Sequence, residues 1–454
     1  MPEPGHNEPQ VAGRRVVVHG LARSGRAAAE LLRERGAQVV GVDEGSFPRE
    51  WARRTLAAIY SSADPGALAD AVLFVLSPGI PDTHPLVRAA RQRGIPVVSE
   101  IELAYRFAPG SLIAITGSKG KSTTAALTGH LLEALGVEHV VAGNIGVPFS
   151  AVVASLRPRH WIVLEVSSFQ LETIDAFHAR AAVQLRISPD HLDRYPDIEA
   201  YAAAKARVAQ RQTAEDLLVV APDDTWGARL ASVSAARVAG FATTWKETGV
   251  VRDGDALVWR TPESQQVLAR VQDVPLLGSH NLENAMAALA ILAGLGLWEE
   301  RARAALRTFR GLEFRMQSCG EISGIHFVND SKSTTVESVR AAVRGMPGAL
   351  LLALGGRNKG LDFRSLRDDL AAVRVVFLYG ESAPQLARDL AGAAHLERVS
   401  DLDALLRRAL EIGQPGDTLL FSPGCTSFDQ FDNAEHRGRE FDAAVERVRE
   451  AMHA

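Results

Sequence analysis

The chain has 454 residues, 46% hydrophobic and 23% charged, with a formal net charge of -4. That length exceeds one ordinary core and predicts two to four domains. The near-neutral balance gives no basis for nucleic acid or an anionic membrane as a partner. Cys319 and Cys425 are the only cysteines, so no disulfide framework or zinc cluster is suggested. Residues 1–13 are polar and lack the apolar stretch of a signal peptide, and no apolar run reaches membrane-spanning length, so a cytoplasmic enzyme is expected.

The first segment alternates strands and helices. Residues 16–18 predict a strand, 24–35 a helix and 39–42 a second strand, with Asp43 at its end. This is the pattern of a nucleotide-binding βαβ unit, with an acid placed to meet a ribose or base. In Gly20-Leu21-Ala22-Arg23-Ser24-Gly25, Ala22 stands where a dinucleotide motif has its second glycine. A methyl group there hinders close approach of a pyrophosphate, so a nucleotide-type ligand and a plain structural turn both stay open. Residues 72–76 predict a strand running into Ser77-Pro78-Gly79-Ile80, at the edge where such sheets bind ligands. A short strand at 96–98, a helix at 100–107 and Ala108-Pro109-Gly110 then mark a boundary.

The second segment opens on the apolar run Ile113-Ala114-Ile115, then Thr116-Gly117-Ser118-Lys119-Gly120-Lys121-Ser122-Thr123, then a helix-compatible run to residue 135. A buried strand, a tight glycine turn and a helix start form a phosphate-cradling loop. Its backbone N–H groups face phosphates, Lys121 neutralises the outer ones and the Ser122 hydroxyl ligates Mg²⁺. Ile115 occupies the position of the usual first glycine, making this a short variant. Residues 143–148 are a glycine-rich loop. Residues 161–166 predict a strand with Glu165 near its end, the usual place of a second Mg²⁺ anchor; the alternative is an acid capping the next helix. Residues 182–187 predict a strand leading to Asp190-His191-Leu192-Asp193-Arg194-Tyr195, which favours a site role for His191. On a helix predicted at 201–210, Lys205 reads by itself as an ordinary helix lysine. Residues 217–221 predict a strand, and residues 250–259 a hairpin turning at Asp253-Gly254. Before an apolar helix at 285–295, Asn281 and Asn284 either read an adenine edge or cap that helix.

The third segment starts near Gly311. Strands predicted at 327–329, 350–354, 375–379 and 418–421 alternate with helices and imply a second open α/β sheet. Their ends carry Asp330-Ser331-Lys332-Ser333-Thr334, Arg357-Asn358-Lys359 and Thr426-Ser427-Phe428-Asp429, polar loops suited to an anionic small molecule.

At this point the motifs name a family. The sequence resembles the ATP-dependent Mur ligases of peptidoglycan precursor synthesis. The resemblance rests on residues 116–123, 143–148, 164–172, 190–196, 280–284, 329–332 and 422–441. Ser-Ser-Phe-Gln-Leu-Glu and Asp-His-Leu-Asp-Arg-Tyr-Pro point to the branch that adds D-glutamate to UDP-N-acetylmuramoyl-L-alanine. The resemblance implies an α/β fold of three domains. A Rossmann-like UDP-sugar domain spans 1–108, and a central phosphate-loop ATPase with a parallel sheet plus a small β portion spans 109–311. A Rossmann-like amino-acid domain spans 312–454. It also implies a monomer that uses ATP and Mg²⁺ at two sites. Ser24, Asp43, Ser77, Gly79 and Asn144 would hold the UDP-sugar, with Ser167 and Gln170 nearer its acyl end. Thr116, Gly117, Ser118, Lys119, Gly120, Lys121, Ser122 and Thr123 would bind ATP phosphates, and Asn281, Asn284, Arg315 and Asp330 its adenine, phosphate and ribose. Glu165 would serve the first Mg²⁺ and His191 the second, and Lys205 matches a carbamylated lysine. Lys332, Thr334, Lys359, Ser427 and Phe428 match positions around D-glutamate. Lys119, Glu44, Ala434 and Ala22 depart from the family pattern. The alternatives are a sister ligase using another amino acid such as L-glutamate, and an NAD-dependent oxidoreductase read from residues 20–43.

Overall fold

The structure, a computed structural model, describes residues 8–453 except 46, 277 and 347, so residues 1–7 of the polar N-terminal stretch lie outside the described residues. Three α/β sheets follow one another along the chain. The first is fully parallel: β1 (Arg15–His19), β2 (Gln38–Val42), β3 (Ala58–Tyr60), β4 (Ala71–Leu76) and β5 (Val97–Ser99), in the order β3-β2-β1-β4-β5. Its strands are continuous apolar runs because both faces are covered. Val16 and Val18 enter one core and Val17 another, as the period of two requires. The edge strand β3 was not anticipated; with three residues and a half-exposed Ile59 it carries little pattern to read.

The second sheet holds β6 (Ser111–Thr116), β7 (His139–Gly143), β8 (Trp161–Glu165), β9 (Ala181–Gln184), β10 (Leu217–Val220), β11 (Arg237–Ala242), β12 (Gly249–Asp253), β13 (Ala256–Arg260) and β14 (Gln265–Arg270). The order is β14-β13-β12-β11-β10-β9-β6-β8-β7, parallel as far as β12 and antiparallel through β13 and β14. The predicted hairpin is present, with Gly254 at φ +59 in its turn. From β6 the chain goes first to one side, to β7 and β8, and then to the other, to β9 and beyond. The C-terminal end of β6 is therefore a topological switch point, where open α/β sheets bind ligands. β9 ends at Gln184, earlier than the expected 187. Leu185 N still donates to Thr116 O (2.9 Å), but Arg186 O is then taken by Ser118 N (3.1 Å), which turns the chain off the sheet toward the phosphate loop.

The third sheet holds β15 (Gln317–Ile322), β16 (Ile325–Asn329), β17 (Leu350–Gly355), β18 (Val373–Tyr379), β19 (His395–Arg398) and β20 (Thr418–Gly424), ordered β15-β16-β20-β17-β18-β19. The four predicted strands form its parallel centre, and the polar edges β15 and β19 were unforeseen. By internal contacts the chain forms two compact units, Met1–Val274 with Glu283–Thr308, holding the first two sheets, and Pro275–Leu282 with Phe309–Ala454, holding the third. No helix among the described residues is long and apolar enough to cross a membrane.

Candidate active site

The phosphate loop follows β6 directly, and the next helix, Lys121–Ala134, begins at its lysine rather than at Thr124. Two glycines are required by geometry. Gly117 sits at φ +144, where a Cβ would lie 2.6 Å from Leu185 Cβ. Gly120 sits at φ +86, where a Cβ would lie 2.1 Å from Asn284 Oδ1. Lys121 Nζ donates to Gly117 O (2.9 Å) and Ser118 O (3.0 Å), so the cation arches over the loop. The Ser118 hydroxyl donates to Ser188 O and accepts from Ser188 N, both at 2.9 Å, and lies 3.2 Å from Tyr201 Oη, so it shapes the loop. Lys119 is exposed.

Glu165, almost fully buried at the end of β8, faces this loop. Ser122 Oγ donates to its Oε2 (2.6 Å) and Asn144 Nδ2 to its Oε1 (2.9 Å). The alternative role of helix cap does not hold, because Ser167 caps the next helix and forms a capping box with Gln170. A carboxylate and a hydroxyl at a helix start suit a hard cation that takes its remaining oxygens from phosphate and water. Among the described residues no three His, Cys, Asp or Glu side chains converge as a metal cage.

Lys205 corrects the sequence reading that made it an ordinary helix lysine. On the helix Ile198–Ala206 it is 2% exposed, with Nζ 4.6 Å from the centre of the Tyr201 ring. Burial first, then repulsion by Lys121, pushes its amine down to about 6, against the pull of Asp190 and Glu165. His191 is half-exposed at φ +54, its ring 4.8 Å from Phe169 and Nε2 3.7 Å from Asp190 Oδ2. Asn281 and Asn284 lie inside the helix Ser279–Gly294, so neither is its cap, and both are buried.

At the strand-end edge of the first sheet, Ser77 Oγ donates to Gly20 O (2.7 Å). Asp43 accepts from Leu21 N and, at 2.6 Å, from Gly45 N. A Cβ on Gly25 would lie 1.7 Å from Gly20 O, so this glycine lets the helix Arg23–Glu34 meet the turn. Ser24 and Gly79 flank the same edge, and Gly79 is exposed. Glu44 Oε1 accepts from Ser62 N and Oγ, both at 2.6 Å.

In the third sheet the polar loops also gather at the strand ends. Asp330 is buried, accepts from Ser422 Oγ (2.8 Å) and Met316 N (3.2 Å), and is pushed up to about 6, chiefly by desolvation. Arg315 is exposed, and the segment beside it carries positive φ at Phe314 and Met316. Lys332 pairs with Glu435 (2.8 Å). Thr334 is half-buried and Ser427 buried. Lys359 Nζ sits 5.5 Å from the centre of the exposed Phe428 ring. Sequence reasoning gave no role to Arg437, which lies within the motif run at 422–441. It is fully buried and donates to Ser331 Oγ (3.0 Å), Ser331 O (2.7 Å) and Cys425 O (3.0 Å), tying together the loops that carry Lys332 and Ser427.

A phosphate loop at a sheet switch point, a buried acid on its serine and a buried lysine beside both define a nucleotide-dependent phosphoryl-transfer protein of three α/β domains. Family models describe the same three parts: a Mur ligase MurD-like N-terminal domain at residues 14–99, a Mur ligase middle domain at 115–292 and a Mur ligase glutamate ligase domain at 314–425. The chain belongs to the Mur ligase family. It is 39% identical over 448 residues to the UDP-N-acetylmuramoylalanine–D-glutamate ligase of Acidobacterium capsulatum, covering 95% of this chain and 96% of that one. The enzyme of the same name from Geobacillus kaustophilus is 39% identical over 447 residues, covering 96% and 98%. Among solved structures, MurF of Acinetobacter baumannii matches with a TM-score of 0.60 at 18% identity, covering 94% of this chain and 93% of that one. MurF of Thermotoga maritima, solved in complex with ADP, matches at 0.59 and 15%, covering 98% and 97%. These two share the fold.

Proposed function

We propose that this chain is an ATP-dependent ligase that joins the amine of D-glutamate to the carboxyl group of UDP-N-acetylmuramoyl-L-alanine, releasing ADP and phosphate, in peptidoglycan precursor synthesis. The observation that carries the site assignment is Lys205, buried beside Lys121 and Glu165 with its amine pushed to about 6. A neutral amine at physiological pH is the form that adds to CO₂. A nitrogen–carbon bond forms, a proton leaves, and a residue that would repel Mg²⁺ becomes an anion that helps hold it. Ser122, Glu165, His191 and carbamylated Lys205 would hold two Mg²⁺, which supply charge neutralisation when bound.

The chemistry follows from the substrates. An ionised carboxylate is a poor electrophile, because its charge repels a nucleophile and oxide cannot leave. Transfer of the γ-phosphoryl group makes it an acyl phosphate, and the free amine attacks to give a tetrahedral intermediate that expels phosphate. Lys121 and the loop amides, from Thr116 to Thr123, orient the triphosphate and neutralise it. Ser24, Asp43, Ser77, Gly79 and Asn144 hold the UDP-sugar, with Ser167 and Gln170 at its acyl end. Asn281, Asn284, Arg315 and Asp330 serve the rest of the nucleotide, and Lys332, Thr334, Lys359, Ser427 and Phe428 the incoming amino acid. The domains span 1–108, 109–311 and 312–454, and the working form is a cytoplasmic monomer without nucleic acid or membrane partners.

The test is phosphate release with ATP, Mg²⁺ and UDP-N-acetylmuramoyl-L-alanine against a panel of amino acids. Release only with D-glutamate, with a product of the combined mass less one water, is expected. Release with L-glutamate instead would keep the ligase chemistry and overturn the amino-acid assignment.

A further inference from the structure

Arg194 touches two sites at once. Its guanidinium is anchored on Glu172 by two bonds, Nε to Oε1 (3.2 Å) and Nη2 to Oε2 (2.5 Å), and both side chains are only 16% exposed. Tyr195 Oη donates to the same carboxylate (2.5 Å), so Glu172 is held from two sides. The fork is thus fixed in place, and its remaining nitrogen, Nη1, donates to Pro78 O (3.1 Å). Pro78 lies between Ser77 and Gly79, in the loop at the ligand edge of the first sheet. Behind the guanidinium, its carbon sits 4.1 Å from the centre of the Phe169 ring, and that ring lies 4.8 Å from the His191 imidazole. The backbone closes the circuit: Arg194 N and Tyr195 N both donate to His191 O (3.0 Å), fixing the left-handed turn at His191.

A bidentate arginine–carboxylate pair at low exposure is a geometric constraint rather than a loose surface contact. It allows two things to move together: the Ser77–Gly79 loop and the turn that aims His191. We propose that Arg194 is a positioning residue that couples occupancy of the UDP-sugar loop to the placement of His191, so that binding of the sugar nucleotide tunes the Mg²⁺·ATP site. This rests on the proposed UDP-sugar and Mg²⁺ sites. Coupling of this kind is a ratio of affinities, and the ratio is reciprocal.

The test is calorimetry on the full chain, without D-glutamate. The affinity for a non-hydrolysable ATP analogue with Mg²⁺ is measured alone and with saturating UDP-N-acetylmuramoyl-L-alanine. In the wild type the ratio is expected to be about fivefold or more, the lower range of such couplings. In Arg194→Ala it should fall below about twofold, while the sugar nucleotide still binds, because Ser77 keeps its loop on Gly20. A purely structural role would lower stability and leave the ratio alone. Should Arg194→Ala not fold, Arg194→Lys decides, since lysine keeps the charge but cannot reach Glu172 and Pro78 together. A wild-type ratio near one, or an undiminished ratio in a folded variant, overturns the coupling. Failure of the wild type to bind the sugar nucleotide at all overturns the functional reading, and the coupling with it.

Discussion

Replacing Lys205 with methionine is expected to make the chain more stable and inactive. Burial holds the folded-state amine at about 6, against 10.5 for an ordinary lysine. Between those values the unfolded chain binds one proton more than the folded one, so stability rises with pH across the window. The penalty is complete below pH 6 and gone above 10.5. At pH 7 deprotonating this amine on folding costs about 5 kcal/mol, and at pH 9 about 2 kcal/mol, from 1.36 kcal/mol per pH unit. Methionine fills much of the same space and carries no such penalty. Lys205→Met should therefore gain up to about 5 kcal/mol at pH 7, and the gain should shrink by about 3 kcal/mol at pH 9. The assay is urea unfolding in CO₂-free buffer followed by tryptophan fluorescence. All six tryptophans, Trp51, Trp161, Trp226, Trp245, Trp259 and Trp298, lie in the unit that contains Lys205, so the signal reports that unit. A stability difference that is the same at both pH values would refute the reasoning, as would a methionine variant less stable than the wild type at pH 7.

Asn144→Ala removes the amide that orients Glu165, and should weaken apparent Mg²⁺ affinity about 10–100-fold, read from Mg²⁺ titration of phosphate release. Asp330 is pushed up to about 6 from 3.8, so the folded state keeps a proton that the unfolded state loses, and stability falls as pH rises through that window. Asp330→Asn should then raise the melting temperature of its unit at pH 7, from a gain of up to about 3 kcal/mol, and leave it nearly unchanged at pH 4. Arg437→Met strips Ser331 O and Cys425 O of a donor, at about 1–3 kcal/mol for each buried group. Steady-state kinetics should show a raised KM for D-glutamate and an unaltered KM for the sugar nucleotide.

The centres of all three sheets were legible because buried parallel strands are short apolar runs that end in glycine, as Ile113-Ala114-Ile115 before Gly117 does. Their edges were not. β15 reads Gln-Ser-Cys-Gly-Glu-Ile and β19 His-Leu-Glu-Arg, where solvent on one side removes the apolar signal. The phosphate loop and His191 were singled out because each follows a strand, and Glu165 because it ends one. Lys205 was singled out only by resemblance, since one lysine among alanines looks the same whether its helix face meets water or, as here, the Tyr201 ring. Arg194 and Arg437 lay within the motif runs without a role. What each arginine does depends on carbonyls far off in sequence, at Pro78 and at Ser331, and no local pattern announces such partners.

The contact of Asn284 on Gly120 also has a consequence for synthesis. The loop leaves the ribosome about 160 residues before the asparagine that packs over it, a delay of about 10–30 s at ordinary elongation rates. Strands β6 to β12 can pair in that interval, before the helix Ser279–Gly294 brings Asn284 against Gly120. A nascent chain thus carries the lysine and serine of the phosphate loop before it carries the asparagine that packs against the loop's second glycine.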